Sequence, residues 1–172
     1  MRSITLAIAA VLLLASCSGD PEPIEPTAST PASTTPSPPA QAEKDTPDGA
    51  ASFVSYYIEV LNFAARTGDV SPLIALSSPR CEGCREYIDL YEGVYEAGGH
   101  FEGGEWSPSD FELEIRRDTT DVFVRIDADK GRVKSDALSG ARTEDAFDGD
   151  VVFEVDTSAK DRKVHRLERL EP

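Results

Sequence analysis

The chain has 172 residues, with 17 Lys and Arg against 32 Asp and Glu, a net charge of −15, 12 prolines and 3 cysteines. That length fits one domain plus some unfolded chain, and a hydrophobic content of 40% is enough for a core, which excludes full disorder. The acidity excludes nucleic acid as a partner, because phosphate binding needs a basic stripe, and after the N-terminus no apolar run reaches the roughly 20 residues of a membrane span.

Met1-Arg2 is a short positive start, and Ile4 to Ala15 is an apolar run broken only by Thr5. Its length is that of a secretory signal core and too short to cross a bilayer. Leu14-Ala15-Ser16-Cys17 closes the run and resembles a bacterial lipobox. The resemblance implies that residues 1–16 are removed and that Cys17 is acylated on its sulfur as the first mature residue. Two or more acyl chains hold a protein stably at a membrane, at about 0.8 kcal/mol per buried methylene. The expected location is the extracytoplasmic face of the cell membrane, reached through the lipid anchor.

From Ser18 to Lys44 come Pro21, Pro23, Pro26, Pro31, Pro36, Pro38 and Pro39, many Ser and Thr, and no aromatic residue. Such a segment buries too little apolar surface to offset its ordering entropy. Residues 17–45 are expected to be the lipidated Cys and a disordered stalk, spanning roughly 80 Å as polyproline II or about 30 Å as a coil. The stalk is read as a spacer, with or without O-glycosylation. The folded domain is expected over 46–172, because all aromatic residues lie between Phe53 and Phe153.

Thr46-Pro47-Asp48 reads as a helix start: a capping hydroxyl, Pro at the first position, then an acid near the positive end of the dipole. Ala50, Phe53, Val54, Tyr57, Leu61 and Ala64 recur at helical spacing, with Ser52, Ser55, Glu59, Asn62 and Arg66 opposite, and Gly68 as a stop. Ser71-Pro72 opens a short helical turn to Leu76. A second long helix is expected from Ser78-Pro79 to about Ala97, ended by Gly98-Gly99. It places Cys81, Cys84, Ile88, Tyr91 and Tyr95 on one arc and Glu82, Glu86, Asp89, Glu92 and Glu96 on the other. That acidic stripe reads as a solvated face rather than a docking surface for a basic partner.

After Gly99 the period becomes two. Phe111, Leu113 and Ile115 alternate with charged residues, as do Val122, Val124, Ile126 and Ala128, and then Val151, Phe153 and Val155. His100 to Trp106, Arg132 to Ser135 and Lys163 to Leu170 are weaker strand candidates, and Ser139 to Gly149 reads as a long acidic loop. Helices followed by half-buried antiparallel strands predict an α+β fold, with two main N-terminal helices packed on a curved, mostly antiparallel sheet.

Cys81-Glu82-Gly83-Cys84 is a C-x-x-C pair without the preceding strand that thioredoxin-like enzymes supply. With Cys17 lipidated, these two thiols remain in an oxidising compartment, where a local disulfide is expected, worth about 2 kcal/mol for so short a loop. Redox catalysis by the pair is the competing reading. A metal site lacks a second pair or a nearby His. His100 and His165 lie on separate elements, and no nucleophile-elbow pattern accompanies them. Asp127-x-Asp129-x-Gly131 and Asp148-x-Asp150 lack the remaining ligands of a calcium loop. The residues imply neither a metal nor a cofactor.

Pro47-Asp48-Gly49-Ala50 through Tyr57, and Ser77 to Cys84, resemble actinobacterial lipoproteins of unknown function. The resemblance spans about 46–170 and implies a nuclear transport factor 2-like cone, in which helices and a curved sheet leave a cavity at the open end. Enzymes of that type place an acid/base residue in the cavity, and none of their catalytic residues can be assigned here. The expected function is a membrane-anchored, non-catalytic binding or interaction module for a small ligand or an envelope protein. Tyr57, Tyr91, Tyr95 and Trp106 are its candidate cavity residues. The alternative is an extracytoplasmic thiol-disulfide oxidoreductase using Cys81 and Cys84.

Overall fold

The computed structural model describes residues 34–171. The expected signal segment 1–16, the lipidated Cys17 and most of the expected stalk lie outside the described residues.

Helix α1 runs Pro47–Thr67. Thr46 accepts the Gly49 N–H at 3.0 Å, and Gly68 closes the helix in the left-handed region at φ 76°. Phe53, Val54, Tyr57, Ile58 and Leu61 are all buried, and Tyr56, Asn62 and Phe63 are buried beside them, so more than half of its circumference is covered. Helix α2 is Ser71–Leu76 and α3 is Glu82–Glu96. The second long helix thus starts four residues later than the Ser-Pro pair predicts. Ser78 and Cys81 are held in a turn first: Ser78 N–H donates to Val164 O, and Cys81 N–H to Ser78 O. Cys81 becomes the N-cap of α3.

Seven strands follow: β1 His100–Gly103, β2 Trp106–Ile115, β3 Thr119–Ala128, β4 Gly131–Lys134, β5 Arg142–Glu144, β6 Phe147–Asp156 and β7 Val164–Arg169. The expected antiparallel architecture is present, divided into two sheets of order β1-β4-β5 and β2-β3-β6-β7. The register explains the division. Gly103 pairs with Gly131 on one side of the break and Trp106 with Ala128 on the other. Ala128 also pairs with Phe147, and Gly131 with Glu144. Three interruptions, Gly104-Glu105, Asp129-Lys130 and Asp145-Ala146, therefore line up across the strands and form one corner. Gly103 and Gly104 take φ 68° and 71° there, which other residues adopt at a cost, so the glycines permit the bend. The expected loop from Ser139 to Gly149 instead carries β5 and the start of β6. Its charged, short strand shows no apolar alternation by which to be read.

The inner face of the larger sheet carries Val122, Val124, Ile126, Val151, Phe153 and Val155, all buried, and packs on α1 to form one core. The expected alternation holds in β3 and β6. Val152, on the other face, is buried as well.

Residues 34–45, read from composition as stalk, lie against this domain. Ala42 is buried, and its N–H donates to Pro39 O at 2.9 Å. Buried Arg162 binds Ala42 O and Lys44 O, and Tyr56 Oη donates to Pro36 O. The attachment sits beside Asp156 and Thr157, where β6 ends and β7 has yet to begin. It is the end of the sheet remote from the corner. Ten residues of β3 separate the two ends, about 33 Å of strand.

Candidate functional site

The corner is concave toward α3, and the concavity holds a cavity of about 330 Å³. Tyr87 and Tyr91 reach it from α3, Phe101 from β1, Trp106 from β2, Phe147 from β6 and Arg169 from β7. The rings form a connected wall. Tyr87 meets Trp106 edge-on at 5.3 Å, Tyr91 meets Phe101 edge-on at 5.2 Å, and Trp106 stacks on Phe147 at 6.3 Å. Such arrangements stabilise by about 0.5–1.5 kcal/mol per pair beyond area burial.

Asn62 fixes the floor. Its Nδ2 donates to Trp106 O at 2.9 Å, and Trp106 N–H donates to its Oδ1 at 2.9 Å. This reciprocal pair satisfies the backbone of Trp106 and stands in for a neighbouring strand at the edge of β2. By helical spacing Asn62 belongs to the polar side of α1, yet it is buried, because β2 begins directly beside it. Asn62→Asp keeps the shape but presents a second acceptor to Trp106 O in place of a donor. We expect it to lower stability by about 2–3 kcal/mol and to shift Trp106 fluorescence, both measured during urea unfolding. An unchanged midpoint would remove Asn62 from the site.

Arg169 lies over the wall, with its guanidinium carbon 4.4 Å from the Phe147 ring centroid, 5.5 Å from Trp106 and 6.0 Å from Tyr87. Its Nε donates to Tyr87 Oη at 3.1 Å. Burial pushes the Tyr87 hydroxyl above its ordinary pKa, opposed by the nearby Arg169 charge. Burial pushes Tyr91 up further, with Tyr87 adding to it. Both phenols are therefore neutral donors at physiological pH.

The four sequence candidates divide. Tyr91 and Trp106 line the cavity. Tyr57 does not: it is wholly buried in the core, bonded to Ser77 Oγ at 2.9 Å and edge-on to Phe153. Tyr95 stands outside the lining, its hydroxyl on Ala65 O at 2.9 Å and its ring against Phe101. Sequence reasoning missed Tyr87, Phe101, Phe147 and Arg169 as cavity residues. Phe147 is the large apolar residue of the stretch read as a loop, and that is the one local signal it offers.

The sulfurs of Cys81 and Cys84 stand 2.00 Å apart, at disulfide distance, and both residues are fully buried. The histidines are not brought together: His100 pairs with Glu102 at 3.1 Å, and His165 with Asp156 at 2.9 Å. Asp148 and Asp150 face Arg125 across the sheet, at 2.7 and 3.6 Å, as ion pairs of adjacent strands. A larger, more open cleft of about 870 Å³ adjoins the aromatic cavity through Tyr87, Leu90 and Arg169, and is lined by charged residues of α3 and β7.

The sequence matches the family described as "Family of unknown function (DUF6318)" over residues 22–159. No curated protein matches the chain. Among solved structures, it is similar to the intermembrane space region of chloroplast protein ARC6, with 12% identity and a TM-score of 0.56 over 74% of this chain and 98% of that one. Identity that low speaks for the fold alone.

Proposed function

The chain belongs to the DUF6318 family of unknown function, and from that premise we propose that it is a lipid-anchored extracytoplasmic module of the nuclear transport factor 2-like type, which binds a ligand in its aromatic cavity without transforming it. The observation that carries the reading is the cavity itself: five rings and one guanidinium converge from α3 and four strands of two sheets. Such groups hold and orient a ligand, and convergence from so many elements makes the lining rigid. Residues 39–45 join the domain at the end of the sheet remote from the cavity.

The anchor has its own test. In an actinobacterial host, the full chain is expected in the membrane fraction, with a mature mass that begins at Cys17 and includes acyl groups. Cys17→Ala is expected to lose the acyl mass and to leave that fraction. A native chain that retains Met1 and carries no acyl group would overturn the anchored reading.

The oxidoreductase alternative needs a sulfur within reach of a substrate disulfide. With Cys81 and Cys84 both buried, the pair is better suited to staple the start of α3. Replacing both by Ser is expected to cost about 2 kcal/mol in urea unfolding, while insulin reduction by the wild type stays at background. Turnover by the wild type would restore the redox reading.

A further inference from the structure

We infer that the cavity takes a small amphipathic organic anion, its acid group held by Arg169 and the hydroxyls of Tyr87 and Tyr91, its apolar body laid against Phe101, Trp106 and Phe147. The inference rests on the binding reading above and specifies the ligand's chemistry.

Arg169 is the centre of the argument. Its guanidinium is stacked on the cavity rings and bonded through Nε to Tyr87. Among the described residues it has no carboxylate partner, whereas Arg132 and Arg142, which also line the cavity, are paired with Glu102 and Glu144. Stacking and the Nε bond hold the planar fork in place and leave both terminal nitrogens to donate. That is the geometry in which Arg meets a carboxylate, phosphate or sulfonate through two parallel hydrogen bonds.

The two phenols complete the set. Tyr87 Oη accepts from Arg169, so its own O–H remains to donate elsewhere. Tyr91 lines the cavity, and its hydroxyl is open to that space rather than sealed in the core. An accessible phenol of this kind can donate its O–H to a ligand acceptor in place of water. Both phenols keep their protons, because burial raises their pKa. Three donors thus belong to a lining that also carries the Phe101, Trp106 and Phe147 rings. The lining also carries Asp129, Glu144 and Asp145, equal in number to Arg132, Arg142 and Arg169, with Glu144 paired to Arg142. At about 330 Å³ the space lies at the lower end of the small-molecule range of about 300–1,000 Å³.

Three probes of one shape separate the possibilities: 4-phenylbutyrate, 4-phenylbutanol and 4-phenylbutylamine. Binding to the full domain is read by calorimetry and by the fluorescence of Trp106, the only tryptophan. The acid is expected to bind about tenfold more tightly than the alcohol, which is one charge-assisted bond, and the amine most weakly. Arg169→Gln is expected to abolish the preference for the acid over the alcohol. Raised salt should narrow the gap in the wild type, a check independent of any variant. Alcohol or amine binding as tightly as the acid would overturn the anionic assignment and leave the binding reading standing. So would an acid preference that survives Arg169→Gln. If none of the three binds, the inference fails, and the binding reading is decided by the wider screen that closes the Discussion.

Discussion

Replacing Arg162 by Ala is expected to lower the stability of the domain by about 3–5 kcal/mol and to release residues 34–45 from it. The side chain is 4% exposed and donates to four carbonyls: Asp156 O at 2.9 Å, Ala42 O at 3.0 Å, Lys44 O at 3.2 Å and Thr157 O at 2.8 Å. It also lies 5.8 Å over the Phe53 ring. Burial lowers the pKa of the guanidinium, opposed by Asp45 and Asp156 nearby. Each bond to a charged donor contributes about 1.5–3 kcal/mol, and removal strands the acceptors. Three of the four bonds come from the two terminal nitrogens, a fork that Lys lacks, so Arg162→Lys is expected to recover less than half of the loss. Urea unfolding gives the magnitude. Limited proteolysis gives the location, since cleavage between Pro36 and Asp45 should precede cleavage elsewhere. A variant with a wild-type midpoint and no new cleavage would mean that the segment is held by other contacts.

The second large effect is expected at Gly83. A Cβ built there would fall 2.0 Å from the carbonyl oxygen of Leu167 and 3.0 Å from its carbonyl carbon, both backbone. Neither atom can step aside without moving β7. Gly83→Ala should gain up to about 1 kcal/mol of helix propensity, and overpacking should cost more, for a net loss of about 2–3 kcal/mol. The displacement should also reach the site, because α3 carries Tyr87 and Tyr91 while β7 carries Arg169. We therefore expect Trp106 fluorescence to shift in the folded variant. A variant as stable as wild type, with unchanged emission, would show that α3 and β7 are not in close register here.

Where structure is dictated by neighbours along the chain, the residues disclose it. The buried face of α1, its Thr46 cap and Gly68 stop, and the alternation of β3 and β6 follow from spacing alone. What escapes is set by distant partners. Arg162 is one basic residue in a polar turn, and nothing near it announces four carbonyls from two segments. Asn62 sits at a polar position of its helix and is buried by a strand that begins 44 residues later. Ala42 lies in a proline-rich stretch with no periodicity, so composition assigns it to a stalk. Gly83 stands in the sequence only as a residue between the two cysteines, and the reason for it, the approach of β7, lies 84 residues away at Leu167. Two of the six groups that form the cavity wall were legible, Tyr91 and Trp106. Tyr57 carries the same chemistry but points into the core, Tyr95 bonds Ala65 O outside the lining, and Phe147 reaches the cavity only because three strands turn one corner together.

The most direct test of a ligand-binding cavity is a fragment screen read in the two-dimensional amide spectrum of residues 34–172, in which Trp106 gives the one indole N–H signal. Fragments that bind should shift that signal together with Tyr87, Tyr91, Phe101, Phe147 and Arg169, and the shifts should vanish in a Trp106→Ala protein that remains folded. Shifts gathered on the charged cleft beside α3 or on the opposite sheet face, or no binding fragment at all, would contradict the account.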